Sequence, residues 1–287
     1  MLSVRPDKPV DPLTIAVSRE IDRIARELEL PYFLAGAMAR DIVLTHVFSI
    51  ETGLATSDID FGVTVGSWQQ FSSIKNELIG TGKFAPDKNI EHRIYYVPQG
   101  DHTDWPVDII PFGDIESPPH FIVWPPDGSV TMNVIGYEEV LATATPVKIA
   151  DDLTVQIASL PGLAVLKLFA WQDRHAETTK DARDLALLFR HYHAAGNQER
   201  IYAEEMSLMQ AVDYDLDLAS PRLLGGDVGQ LASAATLEQL HVLLNNAKMT
   251  DRLITHMSAV FRAADDSIAA AEHLLDQFKA GLNIKGT

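Results

Sequence analysis

The sequence predicts an α/β (α+β) fold over residues 1–158, followed by an all-helical domain over residues 159–287. Two observations predict this. Up to Ala158, short strand-like runs alternate with segments of helical period, whereas from Ser159 onward only helical periods occur. The stretch Tyr32–Val65 also breaks from a short apolar run into a helix at Gly36, then returns as a strand-like run opening on Asp58 and Asp60. The rest of the first half is arranged around that stretch.

Taken in order, residues 12–29 place Ile15, Ile21, Ile24, Ala25 and Leu28 among charges, an amphipathic helix that Pro31 ends. Tyr32–Ala35 reads as a short buried strand, Gly36–Phe48 as a helix, Ser49–Ser57 as a loop and Asp58–Val65 as a strand. A helix is expected from Ser67 to Ile79, then a turn punctuated by Gly80, Gly82 and Pro86. His92–Val97 and Pro106–Pro111 form a hairpin joined by a long loop. Ser117–Gly128 is proline-rich and expected to be irregular with short strands, and Val147–Ala158 is a strand pair turning at Asp151-Asp152. In the second half, Pro161 sits near the start of a helix reaching Asp173. Thr178 and Asp181 stand in capping-box spacing before a helix ending near His193, and five more helices follow, with GGDVG at 225–229 read as a connecting turn.

The chain of 287 residues carries 40 acidic and 23 basic side chains, a net charge of −17, which disfavours nonspecific binding to nucleic acid. It has no cysteine, which excludes a disulfide framework and a thiolate zinc site. The first residues, MLSVRPDKPVDP, lack the apolar core of a signal peptide, and no run is long and apolar enough to span a membrane, so a soluble cytoplasmic protein is expected.

A strand has a period of two, so Asp58 and Asp60 project from one face. Adjacent carboxylates repel unless a cation lies between them, and a magnesium ion commonly uses one or two carboxylates plus substrate phosphates. The ordinary alternative is a solvated strand end. Asp108, inside the apolar run WPVDIIPFG, must lie at an exposed strand end or meet a charge. If its strand lies beside that of Asp58, the three acids converge, an arrangement able to hold two metal ions about 3.5–4 Å apart. Gly36 at the head of a helix offers backbone N–H groups to a phosphate, although a glycine there also serves a simple turn. Arg40 lies one helical turn further on and otherwise makes a plain surface pair with Asp41. Lys167 interrupts the apolar LAVLKLFA, and lysine is rarely buried without a partner; Lys167, Trp171 and Arg174 share one helical face. Asp181 reads as a capping residue, Arg174 and Asp184 as a structural pair, and His191 and His193 as surface residues. Arg174, Lys180, Arg183 and Arg190 form the one dense basic cluster in the sequence.

These residues resemble a known group. Gly36-Ala37, Asp58-x-Asp60 and Asp108 resemble the nucleotidyltransferase superfamily that includes DNA polymerase beta and the aminoglycoside nucleotidyltransferases. Lys167-x-x-Ala170, Arg174 and Lys180-Asp181-x-x-Asp184-Leu185 resemble the third conserved block of AbiEii/AbiGii-type nucleotidyltransferase toxins. The resemblance covers residues 20–195 and implies a mixed sheet with helices, the helical domain completing a nucleotide and acceptor cleft. It implies Mg²⁺, in one or two ions, on Asp58, Asp60 and Asp108, which are also the catalytic acids. It further implies a nucleoside triphosphate held by Gly36, Ala37, Arg40, Lys167 and Asp184. The acceptor would be a hydroxyl of an RNA end such as tRNA, of a protein or of a small molecule. A toxin role would bring an antitoxin as partner. Ala37 departs from the usual Gly-Ser or Gly-Gly, and the gap from Gly36 to Asp58 is long for the superfamily. Two other readings fit the acids less fully: a glycosyltransferase with an Asp-x-Asp motif, and a non-catalytic member of the same fold that binds nucleotide or protein.

Overall fold

The computed structural model describes residues 1–53, 56, 58–98, 104–261 and 266–283. The chain separates into two compact units, Met1–Ser49 with Gly53–Ser159 and Ile50–Thr52 with Leu160–Thr287.

The first unit begins with β1 (Leu2–Ser3) and α1 (Pro12–Glu27). Asp11 caps α1, accepting from the backbone N–H of Leu13 and Thr14 at 3.0 and 3.1 Å, and Pro12 occupies the first helical position, where its missing N–H costs nothing. The helix buries Val17, Ile21, Ile24 and Ala25. Then come β2 (Tyr32–Ala35) and α2 (Gly36–Asp41), which runs on into a π-helical turn over Ile42–Val47. β3 (Ile59–Thr64) is followed by α3 (Trp68–Gly80), capped by Ser67, and by the short strand β4 (Phe84–Pro86). β5 (Arg93–Tyr96) and β6 (Trp105–Phe112) make the expected hairpin; part of its loop lies outside the described residues. β7 (Phe121–Val123) and β8 (Thr131–Asn133) form a separate two-stranded ribbon within the proline-rich stretch. After α4 (Tyr137–Ala142), β9 (Thr145–Ala150) and β10 (Leu153–Ile157) form the second antiparallel pair.

Eight strands make one mixed sheet in the order β1-β9-β10-β2-β3-β6-β5-β4. β3 lies antiparallel to β2 and parallel to β6, and β5 lies antiparallel to β6. The central strands are apolar along almost their whole length, as expected for strands enclosed by neighbours. Ile59, Phe61 and Val63 of β3 are fully buried, as are Val107, Ile109 and Phe112 of β6. Phe33, Phe112 and Tyr137 form a three-ring cluster with centroids 5.4–5.9 Å apart.

The second unit is helical: α5 (Leu160–Arg174), α6 (Lys180–His191), α7 (Gln198–Ala203), α8 (Met206–Ala211), α9 (Leu216–Leu231), α10 (Ala234–Leu244), α11 (Ala247–Met257) and α12 (Ser267–Gly281). The ring of Phe189 on α6 stacks on that of Phe278 on α12 at 4.6 Å.

Several sequence expectations are corrected. GGDVG at 225–229 is not a connecting turn but lies within α9. A Cβ on Gly225 would lie 2.2 Å from the Phe278 carbonyl oxygen, and one on Gly281 would lie 1.9 Å from that of Arg222. The glycines are there because α9 and α12 touch backbone to backbone. Thr178 does not form a capping box; its Oγ1 accepts from the N–H of Lys180 instead, and Thr179 takes the cap position without a side-chain bond. His191 and His193 are half-buried rather than exposed, and burial lowers the pKa of His191.

Candidate active site

The site is built at the edge of β3. Four residues lie side by side across four strands: Ala35 of β2 pairs with Asp60 of β3, Asp60 with Asp108 of β6, and Asp108 with Arg93 of β5. In-register neighbours on adjacent strands project from the same face of a sheet, so the two carboxylates and the guanidinium form one polar row. Asp58 stands immediately before β3, two residues from Asp60, and is half-buried.

Gly36 closes the row from the side. Its φ of +67° is a conformation that glycine adopts without strain, and it turns the chain sharply from β2 into α2. A Cβ there would fall 1.8 Å from Oδ2 of Asp60, so the backbone of Gly36 and the Asp60 carboxylate share a space that only glycine leaves open.

Asp108 is 7% exposed and resolves its buried charge by meeting another. Nε of Arg93 donates to Oδ1 and Nη2 donates to Oδ2, both at 2.7 Å, a two-pronged pair. The hydrogen bond to Asp108 raises the pKa of Arg93, which is charged at any working pH. Among the described residues, no group of three or more His, Asp or Glu side chains is drawn together as a metal cluster. Where the sequence led us to expect three acids around one point, the Asp108 carboxylate is turned to Arg93.

Arg40 corrects a second expectation. It is not in a surface pair: at 1% exposure it is among the largest fully buried side chains, with Nε and Nη2 on Oδ1 of Asp41 at 2.8 and 2.7 Å. Oδ2 of Asp41 accepts from the hydroxyl of Thr56 at 2.9 Å. This links α2 to the segment just before Asp58.

In the helical unit, Lys167 is 8% exposed and lies between two carboxylates, its Nζ 3.0 Å from Oδ1 of Asp181 and 2.7 Å from Oδ2 of Asp184. Asp181 is no mere cap. It is 1% exposed and also accepts from Nε and Nη2 of Arg174 at 2.7 and 3.0 Å. Burial pushes its carboxyl pKa up, but the Lys167 charge and the Arg174 hydrogen bonds outweigh that and hold it below the ordinary value. Arg174 therefore pairs with Asp181, where the sequence suggested Asp184.

The model of the family described as "Nucleotidyl transferase AbiEii toxin, Type IV TA system" matches residues 55–276, well over half of the chain. The chain belongs to this AbiEii nucleotidyl transferase family. No curated protein matches it. Three solved structures are distantly similar. A crystal structure of an antigenic nucleotidyltransferase-like protein from Paracoccidioides brasiliensis is 15% identical, covers 75% of this chain and 96% of its own, and has a TM-score of 0.43. The antibiotic-resistance factor ANT(2'')-Ia is 12% identical, covers 72% of this chain and 100% of its own, and scores 0.35. The Thermotoga maritima CCA-adding enzyme complexed with tRNA is 12% identical, covers 98% of this chain and 85% of its own, and scores 0.27. Scores this low leave the assignment resting on the family match.

As an AbiEii-family member the protein is a nucleotidyltransferase, and the match takes in both the acid row and the Lys167 cluster. Two of its site features are absent from the sequence expectations. Arg93 stood in a hairpin strand with no mark beyond its charge; the signal was its place opposite a buried acid, which needs strand register to be seen. The Asp41–Thr56 link was hidden because the two residues are separated by the loop.

The residues fit a magnesium ion. Asp58 and Asp60 are hard oxygen donors two positions apart, and the missing Cβ of Gly36 makes the room that the Asp60 carboxylate occupies. Asp58 has no ion-pair partner among the described residues. Asp108 is already compensated by Arg93.

Proposed function

We propose that this protein transfers a nucleoside monophosphate from a nucleoside triphosphate to an acceptor hydroxyl, with Mg²⁺ held by Asp58 and Asp60. The observation that carries the reading is the in-register row of Asp60 and Asp108, with Gly36 against the Asp60 carboxylate. When bound, the ion offsets the charge of the triphosphate and polarises the phosphorus under attack. The chain's own residues do the rest. Gly36 and Ala37 present backbone to a phosphate at the start of α2. The Arg40–Asp41–Thr56 link fixes the approach to Asp58 and so orients its carboxylate; Arg40 contacts nucleotide only if this buried pair opens. Asp108 takes the proton of the acceptor hydroxyl as its oxygen bonds to the α-phosphorus and pyrophosphate leaves. Lys167 and Asp184 form a buried pair within the helical unit, and Lys167 contacts the triphosphate only if this pair opens.

The acceptor is a hydroxyl on RNA, protein or a small molecule, and we favour no one of these on geometry. The basic cluster that would seat an RNA end is partly committed. Arg174 holds Asp181, and the Arg190 guanidinium lies 5.2 Å from the ring centre of Phe261. We extend the family description to a toxin role with a cognate antitoxin, in the cytoplasm. Among the described residues no helix is long and apolar enough to cross a membrane.

The test is incubation with each α-labelled nucleoside triphosphate, Mg²⁺ and separated RNA, protein and metabolite fractions. Label is expected in one fraction, dependent on Mg²⁺ and lost in Asp58→Asn. Label in none of them, with growth unaffected on overexpression, would end both the transferase mechanism and the toxin role.

A further inference from the structure

The ribbon of β7 and β8 ends in a turn that an aspartate closes. The N–H of Gly128 donates to the Trp124 carbonyl at 3.1 Å, the N–H of Trp124 donates to the Val130 carbonyl at 2.9 Å, and Oδ1 of Asp127 accepts from the N–H of Ser129 at 3.0 Å. The turn before β5 uses the same device, Oδ1 of Asp87 accepting from the N–H groups of Asn89 and Ile90 at 2.7 and 2.9 Å. Short aspartate side chains favour such turns because they bond the backbone two residues on. Together the two turns line a pocket of about 360 Å³, whose wall includes Ile90, Glu91, His92, Trp124, Asp127 and Val130. That volume is in the range of small-molecule sites. None of Gly36, Asp58, Asp60, Arg93 or Asp108 belongs to this wall.

Trp124 is 4% exposed, and its ring lies 5.1 Å from Trp68, 5.5 Å from Phe71 and 5.6 Å from His92, centre to centre. These rings first of all fasten the ribbon to α3. A second pocket, of about 260 Å³, shares Trp124, Pro125 and Glu91 with the first and also carries Lys75, whose Nζ is 3.8 Å from the Glu91 carboxylate. The larger pocket has two carboxylates, Glu91 and Asp127, and no lysine or arginine in its wall. The N–H of Ser129 holds the Asp127 carboxyl below its usual pKa, and burial holds the His92 imidazole below its own, so the wall is negative at neutral pH. The indole N–H of Trp124 is buried without a hydrogen-bond partner among the described residues, a donor that a ligand oxygen would satisfy.

We propose that this pocket binds a small organic cation, an ammonium group on a compact apolar body that also bears an oxygen acceptor. The aromatic wall of Trp124 attracts the cation through the ring face, Glu91 and Asp127 supply the opposite charge, and Ile90 and Val130 take the apolar body. The site stands apart from the acid row, and its occupancy does not depend on the nucleotidyl-transfer reading.

The experiment is titration of the full chain with choline, followed by tryptophan fluorescence and calorimetry. Choline should bind at a single site and change the fluorescence. Dimethylbutanol, its neutral carbon isostere, keeps the shape and the hydroxyl but lacks the charge, and should bind at least about tenfold more weakly. Glu91→Gln/Asp127→Asn, at two exposed positions, should weaken choline by a similar factor, narrow its advantage over the isostere and leave the thermal melt unchanged. Trp124→Phe should remove most of the fluorescence change; should it fail to fold, the acid variant decides alone. Equal binding of choline and the isostere, wild-type choline affinity in the acid variant, or no saturable choline binding to the wild type would each overturn the proposal.

Discussion

A methyl group on Gly36 would collide with Oδ2 of Asp60, which ties the backbone conformation of one residue to the position of a proposed metal-binding carboxylate. Gly36→Ala carries two penalties: strain at positive φ, and displacement of a proposed metal-binding carboxylate. An ångström of misplacement at a reacting centre can cost on the order of 10²-fold in rate. We therefore expect Gly36→Ala to lose roughly that much transfer activity while unfolding in one cooperative step, as read by labelled-nucleotide assay and thermal melt. Asp60→Asn keeps shape and removes charge. It should abolish transfer while the protein still unfolds in one cooperative step, because the charge that would hold the ion is lost and the side-chain shape is kept. A variant with wild-type turnover would refute the role given to Asp60.

At the scale of elements, the α5–α6 pair is held by charges out of water. Removing one partner of a buried ion pair typically costs about 3–5 kcal/mol because the remaining charges are left uncompensated. Lys167→Ala should therefore lower stability by about that amount, seen as a shifted denaturation midpoint. A loss of nucleotide affinity with unchanged stability would restore the sequence expectation of a direct triphosphate contact. Asp181 adds a pH signature. Its folded pKa lies below the unfolded one, so its stabilising contribution is present above the unfolded value of about 4 and disappears as pH falls through the folded value. The wild type should lose stability in that acid window, and Asp181→Asn, already destabilised, should show a shallower acid dependence there. Packing between α9 and α12 yields a different prediction. Gly225→Ala must push backbone against backbone, and overpacking of this kind costs about 1–3 kcal/mol. Thermal melts should show the drop, with Gly226→Ala, whose Cβ meets nothing closer than 3.9 Å, as the mild control.

At the scale of the molecule, a net charge of −17 limits any long polyanionic acceptor to local contacts. If RNA accepts the nucleotide, its binding should weaken steeply between low and physiological salt, and charge reversal at Arg183 and Arg190 should remove it without touching nucleotide affinity. Salt-insensitive RNA binding, or binding unaffected by the reversals, would exclude that cluster as the seat. The sequence by itself determined the class of fold, the helix ended at Pro31, the β5–β6 hairpin and the acids of the candidate site, because periodicity, proline and isolated charges in apolar runs are local signals. It also carried the family resemblance, since spaced motifs survive where whole-chain identity does not. Only the tertiary structure decided who meets whom. The acid row exists because β3 and β6 lie in parallel register, Arg93 reaches Asp108 because β5 folds back beside β6, and the glycines of α9 serve a helix contact with α12. Strand register and helix approach are set by packing between segments distant in sequence, so no local pattern of residues specifies them.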